Sequence, residues 1–276
     1  MADLAPTRLL LVGCGKMGGA MLRGWLARGL APAHAVIVEP TPAGLEELTG
    51  RGVRLLATSE AIPADFRPDV VVLAVKPQMM DGAIAGYARF TRPETLFLSI
   101  AAGKTIAYFQ RHLGPAAAVV RAMPNTPAAI GRGISVAVAS PPVTAAQRAL
   151  ADALLAACGE VAWVEEEGLI DPVTALSGGG PAYVFLLIET LAEAGRKAGL
   201  PADLALQLAR VTVSGAGELA RLSPESAAEL RRNVTSPKGT TLEALNILMA
   251  PDGIQPLFDR AIAAATRRSR ELAGQP

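Results

Sequence analysis

The chain has 276 residues, 26 Lys and Arg against 25 Asp and Glu, a net charge of +1, and 51% hydrophobic residues. That length is enough for two domains with real cores, and the balanced charge argues against a nucleic-acid partner or a disordered acidic tail. No uninterrupted apolar run approaches the ~20 residues of a membrane span, and the opening Met-Ala-Asp-Leu carries an acid where a secretion signal carries positive charge.

The first informative stretch runs from Arg8 to Gly29. Leu9 to Val12 is wholly apolar, as befits a strand buried on both faces. Gly13, Gly15 and Gly18 follow, and then Met21, Leu22, Trp25 and Leu26 recur at helical spacing. Strand, G-x-G-x-x-G and helix in that order are the context of a dinucleotide site. Gly13 permits a tight turn, Gly15 lets a pyrophosphate approach the backbone, and Gly18 lets the helix pack closely on the strand. The free N–H groups and positive dipole end of that helix face the phosphates. Val12, Gly13, Cys14, Gly15, Lys16, Met17 and Gly18 are therefore read as cofactor-binding. The competing reading is a glycine-rich turn that binds nothing. Cys14 is most simply a small filler, and with Cys158 far away it forms neither a metal motif nor a disulfide framework. A soluble cytoplasmic protein without a metal is expected.

Further strands are predicted at Ala35–Val38, Val53–Leu55, Val70–Val75, Leu96–Ile100, Val119–Ala122, Ile134–Ala139 and Val161–Val164. Amphipathic helical stretches lie between them, such as Gln78–Phe90 and Lys104–Leu113. Short apolar strands alternating with helices predict an α/β, Rossmann-type doubly wound sheet over residues 1–165. From about Glu166 no β-like run recurs, and residues 166–276 are expected to form an all-helical domain. Pro181 falls in the first turn of one helix, Gly199 caps it, and Pro201 opens the next at its first position. That second helix, Ala202–Leu222, is apolar on several sides and needs more than one neighbour to bury it. A second copy of the chain is the expected neighbour, so a homodimer forms through this domain.

In an open parallel sheet, ligands bind beyond the carboxyl ends of the strands. There this chain offers Ala74-Val75-Lys76-Pro77, Ala101-Ala102-Gly103, and Met123-Pro124-Asn125-Thr126-Pro127. Lys76 suits a phosphate or ribose, and Gly103 suits a nicotinamide close to the backbone. Asn125 either bonds the carboxamide or holds its own loop through an Asx turn. Near the end of the chain, four hydroxyl residues, an amide and a glycine cluster in Asn233–Thr241 ahead of a predicted helix start. Free N–H groups there make a cradle for a carboxylate, while the plainer reading has Thr240 or Thr241 merely capping the helix.

These segments, with Leu176-Ser177-Gly178-Gly179-Gly180-Pro181-Ala182-Tyr183 and Asn233-Val234-Thr235-Ser236-Pro237-Lys238-Gly239-Thr240-Thr241, resemble the pyrroline-5-carboxylate reductases over nearly the whole chain. The resemblance implies reduction of the cyclic imine 1-pyrroline-5-carboxylate to proline with NADPH or NADH. It implies a catalytic Thr241 bonding the ring nitrogen, and a substrate site of Glu167, Asn233, Ser236, Gly239, Thr240 and Thr241. Glu167 also reads as a solvated acid at a helix start. The cofactor set also includes Ser59, and Glu39, where the end of the second strand departs from the family's common pattern.

Reducing a C=N bond asks the protein mainly for orientation and polarisation. Neither His34 nor His112, both expected on the surface of the first domain, is placed as a general acid. Hydroxyacid dehydrogenases of similar layout carry a lysine four residues after their mid-chain glycine motif, where this chain has Val184. A non-catalytic dinucleotide sensor would keep the Gly13–Gly18 loop without needing the cradle. At the end of the second strand, Glu39 suits the ribose hydroxyls of NADH and repels a 2′-phosphate. No arginine follows it closely, although Thr41 is adjacent and Pro40 redirects the chain. NADH is expected, with NADPH tolerated.

Overall fold

The structure, a computed structural model, describes residues 3–274. Its strands are β1 (Leu9–Val12), β2 (Ala35–Val38), β3 (Arg54–Leu56), β4 (Val70–Leu73), β5 (Leu96–Ser99), β6 (Ala118–Met123), β7 (Gly133–Ala139) and β8 (Gly159–Trp163). Every residue of β1, β2, β4, β5 and β6 is buried, as continuous apolar runs require when helices cover both faces. All eight join one sheet in the order β3-β2-β1-β4-β5-β6-β7-β8. Pairing is parallel except between β6 and β7. Strand order reverses beside β1: Leu9 pairs with Ala35 on one side and Val70 on the other. The crevice beyond Val12 and Leu73 is thus a topological switch point, where such sheets take ligands.

Within the apolar strands the period-2 alternation sorts side chains into two cores. Leu9, Leu11, Ile37, Val70 and Val72 pack under Met21, Leu22 and Trp25 of helix α1 (Lys16–Ala27). Trp25 is fully buried, and its Nε1 donates to the Leu154 carbonyl at 2.8 Å. Leu10, Val12, Val71 and Leu73 face the opposite way, toward Met80, Ile84, Tyr87, Phe90 and Phe109. The remaining helices of this unit are α2 (Glu46–Gly50), α3 (Met80–Ala83), α4 (Ile106–Leu113), α5 (Ala145–Ala156) and α6 (Ile170–Val173).

Two local expectations are corrected. The helix predicted over Gln78–Phe90 is broken into 3₁₀ turns at Pro77–Met79 and Ile84–Phe90 around the short α3. Gly82 and Gly86 lower its helix propensity, and Gly86 lies so close to Ser59 that a Cβ there would meet the hydroxyl at 2.5 Å. The third strand is shifted by one residue, to Arg54–Leu56.

The chain divides into two compact units, one running to Gly178 and regaining the chain from Ala265, the other spanning Gly179–Ala264. The sequence boundary at residue 165 marked the end of strand texture. The structural boundary falls later because α6 packs on the sheet: Ile170 is fully buried among the core residues there. The second unit contains α7 (Gly180–Lys197), α8 (Ala202–Leu222), α9 (Ala227–Asn233), α10 (Thr240–Leu248) and the first part of α11 (Ile254–Leu272). Gly199, at φ +99°, makes the sharp turn between α7 and α8, while Pro201 is the N-cap of α8 rather than its first helical residue. Leu206, Leu208, Val211 and Leu219 of α8 and Phe185, Leu186 and Leu191 of α7 are exposed. The helical run from Glu167 to Lys197 is also long and apolar enough, by length and composition, to cross a membrane.

Candidate active site

Gly13 and Gly18 of the loop after β1 each have a distinct steric reason. Gly13 has φ +86°, and a Cβ on it would come within 2.9 Å of Val75 Cγ1 and 3.0 Å of the Ala74 carbonyl. A Cβ on Gly18 would lie 2.4 Å from the Gly13 carbonyl oxygen, so α1 packs directly on the turn. At Gly15 the same construction meets nothing within 4 Å. Gly15 is the N-cap of α1, without a side-chain bond, so the first-turn N–H groups are uncapped beside open space. This is the geometry a pyrophosphate needs.

Glu39 finishes β2 and turns back on this loop. One carboxylate oxygen accepts the Cys14 N–H at 2.8 Å and the other accepts the Thr41 N–H at 3.0 Å. Pro40 therefore does not carry the acid away. The following residues, Pro40 to Leu45, contain no cation, and Arg23 on α1 pairs with Glu47 at 3.8 Å. Burial, and then the charge of Glu39, push the Cys14 thiol up to about 11. A thiol so poised is a filler and not a nucleophile.

The other strand ends behave less uniformly. Lys76, three residues beyond β4, is exposed, its carbonyl accepting the Met79 N–H at 2.9 Å ahead of the turn that begins at Pro77. Ser59 donates to Glu60 at 3.0 Å, and its carbonyl accepts from Arg89 at 2.8 Å. After β5, the Ala101 N–H is held by Ser99 Oγ at 3.2 Å, Ala102 follows half-buried, and Gly103 adopts φ +68°. The space on the Cβ side of Gly103 is filled: a Cβ would meet Leu272 Cβ at 3.1 Å and its carbonyl group at 3.2 Å. Gly103 thus admits the C-terminal helix from that side, and not a ring. Asn125 makes no capping bond to its own loop's first turn. Its Oδ1 accepts the Ile134 N–H at 3.0 Å and its Nδ2 donates to Ser177 at 3.3 Å, so the amide ties β7 to the segment before α7.

Glu167 is likewise engaged inside the first unit. Its Oε1 accepts from the Ile106 N–H at 2.8 Å and from Arg121 at 2.9 Å. It is neither a solvated acid nor an unpartnered one. Arg121, in the fully buried β6, has no sequence signal beyond being a lone cation in an apolar strand.

In the second unit, α9 ends at Asn233, whose Nδ2 donates to Glu225 at 3.2 Å. Glu225 was not singled out by sequence, because the pairing joins a residue ahead of α9 to the last residue of that helix. Ser236, Pro237, Lys238 and Gly239 then form a turn, the Gly239 N–H bonding the Ser236 carbonyl at 3.0 Å. Lys238 has φ +59°, the one positive φ outside glycine among the described residues. Gly239 is the N-cap of α10 without any side-chain bond, and Thr240 and Thr241 are the first two helical residues. Neither threonine therefore serves as the cap. Gly239 has its N–H committed to the turn, and the first-turn N–H groups of α10, from Thr240 on, have no capping side chain.

The chain is 40% identical over 99% of its length to the pyrroline-5-carboxylate reductase of Pseudomonas aeruginosa, 99% of which is covered. It belongs to the pyrroline-5-carboxylate reductase family. The family model described as pyrroline-5-carboxylate reductase dimerisation matches residues 167–272, and one described as NADP oxidoreductase coenzyme F420-dependent matches residues 8–103. Among solved structures, the family member from Coxiella burnetii is similar at TM-score 0.89 and 34% identity, covering 97% of this chain and 98% of that one. The enzyme from Plasmodium falciparum, solved with NADP bound, is similar at TM-score 0.83 and 26% identity, with 98% and 99% covered. The chain is thus an oxidoreductase of Rossmann type. The dimerisation match falls on the segment whose apolar side chains are exposed in a single copy.

Proposed function

We propose that this chain reduces 1-pyrroline-5-carboxylate to proline, the last step of proline biosynthesis, in the cytoplasm, as a homodimer joined through α7 and α8. The observation that carries the reading is the uncapped start of α10. There the Ser236–Gly239 turn leads directly into Thr240 and Thr241, the first two residues of a helix with no capping side chain. A carboxylate and a ring nitrogen of one five-membered ring are close enough to be gripped by one such turn. Ser236 and the backbone at Thr240 hold the carboxylate, and the Thr241 hydroxyl bonds the imine nitrogen. That bond strengthens as charge changes at nitrogen during the reaction, so it acts on the chemical step. No histidine or lysine acid is required, because a protonated or hydrogen-bonded imine is already electrophilic.

The reduced nicotinamide cofactor would supply the hydride that forms the new C–H bond and would leave oxidised; the proton that the ring nitrogen gains would come from solvent through the Thr241 hydroxyl. The chain's part is to hold the pyrophosphate on Gly15 and the start of α1 and to read the ribose with Glu39. With both carboxylate oxygens pinned by backbone N–H groups, Glu39 selects NADH, and NADPH is taken more weakly. The deciding experiment follows loss of reduced-cofactor absorbance on adding fresh pyrroline-5-carboxylate. Turnover with proline as product is expected, and no consumption of either cofactor by folded protein would defeat the proposal.

A further inference from the structure

Arg121 is 1% exposed in β6, where its neighbour in β5 is Ser99. Its Nη1 donates to Glu167 Oε1 at 2.9 Å, the same oxygen that accepts the N–H of Ile106, the first residue of α4. Its Nη2 lies 4.0 Å from Asp171 Oδ1, which accepts the Ser269 hydroxyl at 2.6 Å. Asp171 and Ser269 are both buried. Ser269 belongs to the last turns of α11, and three residues on, Leu272 covers Gly103. The start of α4, the Glu167–Asp171 turn and the end of α11 thus converge on one guanidinium. All three border the loop that leaves β5.

We propose that Arg121, Glu167, Asp171 and Ser269 are positioning residues. They hold the Ala101-Ala102-Gly103 loop in the shape that receives the nicotinamide end of the cofactor, with the end of α11 as its outer wall. This rests on the dinucleotide reading of the first unit. Stability is a poor explanation for these charges, since well-packed apolar side chains of the same volume commonly do as well or better. Arg121 Nε and Nη2 and Asp171 Oδ2 lack a hydrogen-bond partner among the described residues, which makes the cluster costlier still. Hydrogen bonds supply what apolar packing does not: fixed distances and directions between three separate segments. The loop needs that, because misplacement of a bound reactant by about 1 Å can cost about a hundredfold in rate. Glu167, whose Oε1 already has two donors, acts through Ile106 and Arg121 rather than on the substrate.

The test reads NADH binding by fluorescence with no imine present, so its failure is distinct from failure of the reductase reading. Ser269→Ala and Glu167→Ala should each weaken NADH binding about three- to tenfold, the scale of one lost hydrogen bond. The KM for NADH should rise by more than kcat falls. Together the two should lose less than the product of the single effects, because they share Arg121. Ser269→Thr and Glu167→Gln, which keep the hydroxyl and the acceptor oxygen, should recover most of the binding. Should Ser269→Ala fail to fold, Ser269→Cys, with a weaker donor at the same place, is held to the same threshold. NADH dissociation constants within twofold of wild type in folded variants would overturn the proposal. So would a Glu167→Gln protein with normal NADH binding and a tenfold higher KM for the imine, the outcome expected of a substrate ligand.

Discussion

Replacing Glu39 by serine removes the charge at the end of β2 that is proposed to read the cofactor ribose. In the native protein that carboxylate is held at 2.8 Å by the Cys14 N–H and at 3.0 Å by the Thr41 N–H, two bonds it would have to break to swing aside for a 2′-phosphate. Two unit charges about 4 Å apart repel by about 1 kcal/mol in water and about 4 kcal/mol at an effective dielectric constant of about 20. The phosphate carries about −1.5 to −2 at neutral pH, but Glu39 is only half-buried and salt screens the pair. A net penalty of about 1–2 kcal/mol on NADPH remains, equivalent to roughly five- to thirtyfold. Glu39→Ser also strips the acceptor from two backbone N–H groups, which loosens the glycine loop for both cofactors alike. The ratio of kcat/KM for NADH over NADPH cancels that common loss and should fall by the five- to thirtyfold estimated. Initial rates with each cofactor at fixed imine concentration give the ratio. A ratio unchanged within twofold, in a folded protein, would show that Glu39 does not read the ribose.

Thr241→Ala should cost about ten- to a hundredfold in kcat/KM, mostly through kcat, for one hydrogen bond of about 1–3 kcal/mol, and Thr241→Ser should restore much of it; full activity in the alanine variant would leave Thr241 with no part in the chemistry. Val211→Asp places a charge on an α8 side chain that is 64% exposed in one copy, and light scattering should find the protein monomeric at micromolar concentration. A persistent dimer would move the interface elsewhere. Lys238→Asn puts a residue tolerant of positive φ at +59° and should raise stability by about 0.5–1 kcal/mol in urea titrations; a lower midpoint would mean that the lysine side chain itself stabilises the turn. Burial pushes the Cys14 and Cys158 thiols up from 9.0 to about 11 each. Folding then favours the protonated form, a contribution that is whole below about pH 8.5 and lost as pH rises toward 11. The urea midpoint should therefore fall across that window by less in a Cys14→Ala, Cys158→Ala protein than in wild type, and equal falls would contradict the assignment.

What the sequence by itself determined was everything carried by neighbours along the chain. The run Leu9–Val12, the glycines at 13, 15 and 18 and the helical spacing of Met21, Leu22 and Trp25 act over a few residues, so strand, turn and helix were legible without coordinates. The surplus apolar faces of Ala202–Leu222 were equally visible, because an excess of apolar positions is a property of one helix. The helix predicted over Gln78–Phe90 failed where a distant residue intervened, Ser59 lying against Gly86. Tertiary structure also decided which way each polar side chain is committed. Asn125 bonds Ile134 and Ser177, Glu167 bonds Ile106 and Arg121, and Asn233 bonds Glu225. Partners such as Ser177 and Ile106 lie many residues from the side chains they engage, and hydrogen bonds depend on distances of a few tenths of an ångström. Hydrophobic pattern repeats along a chain and can be read from it. Polar satisfaction is settled between segments, and only the folded protein brings those segments together.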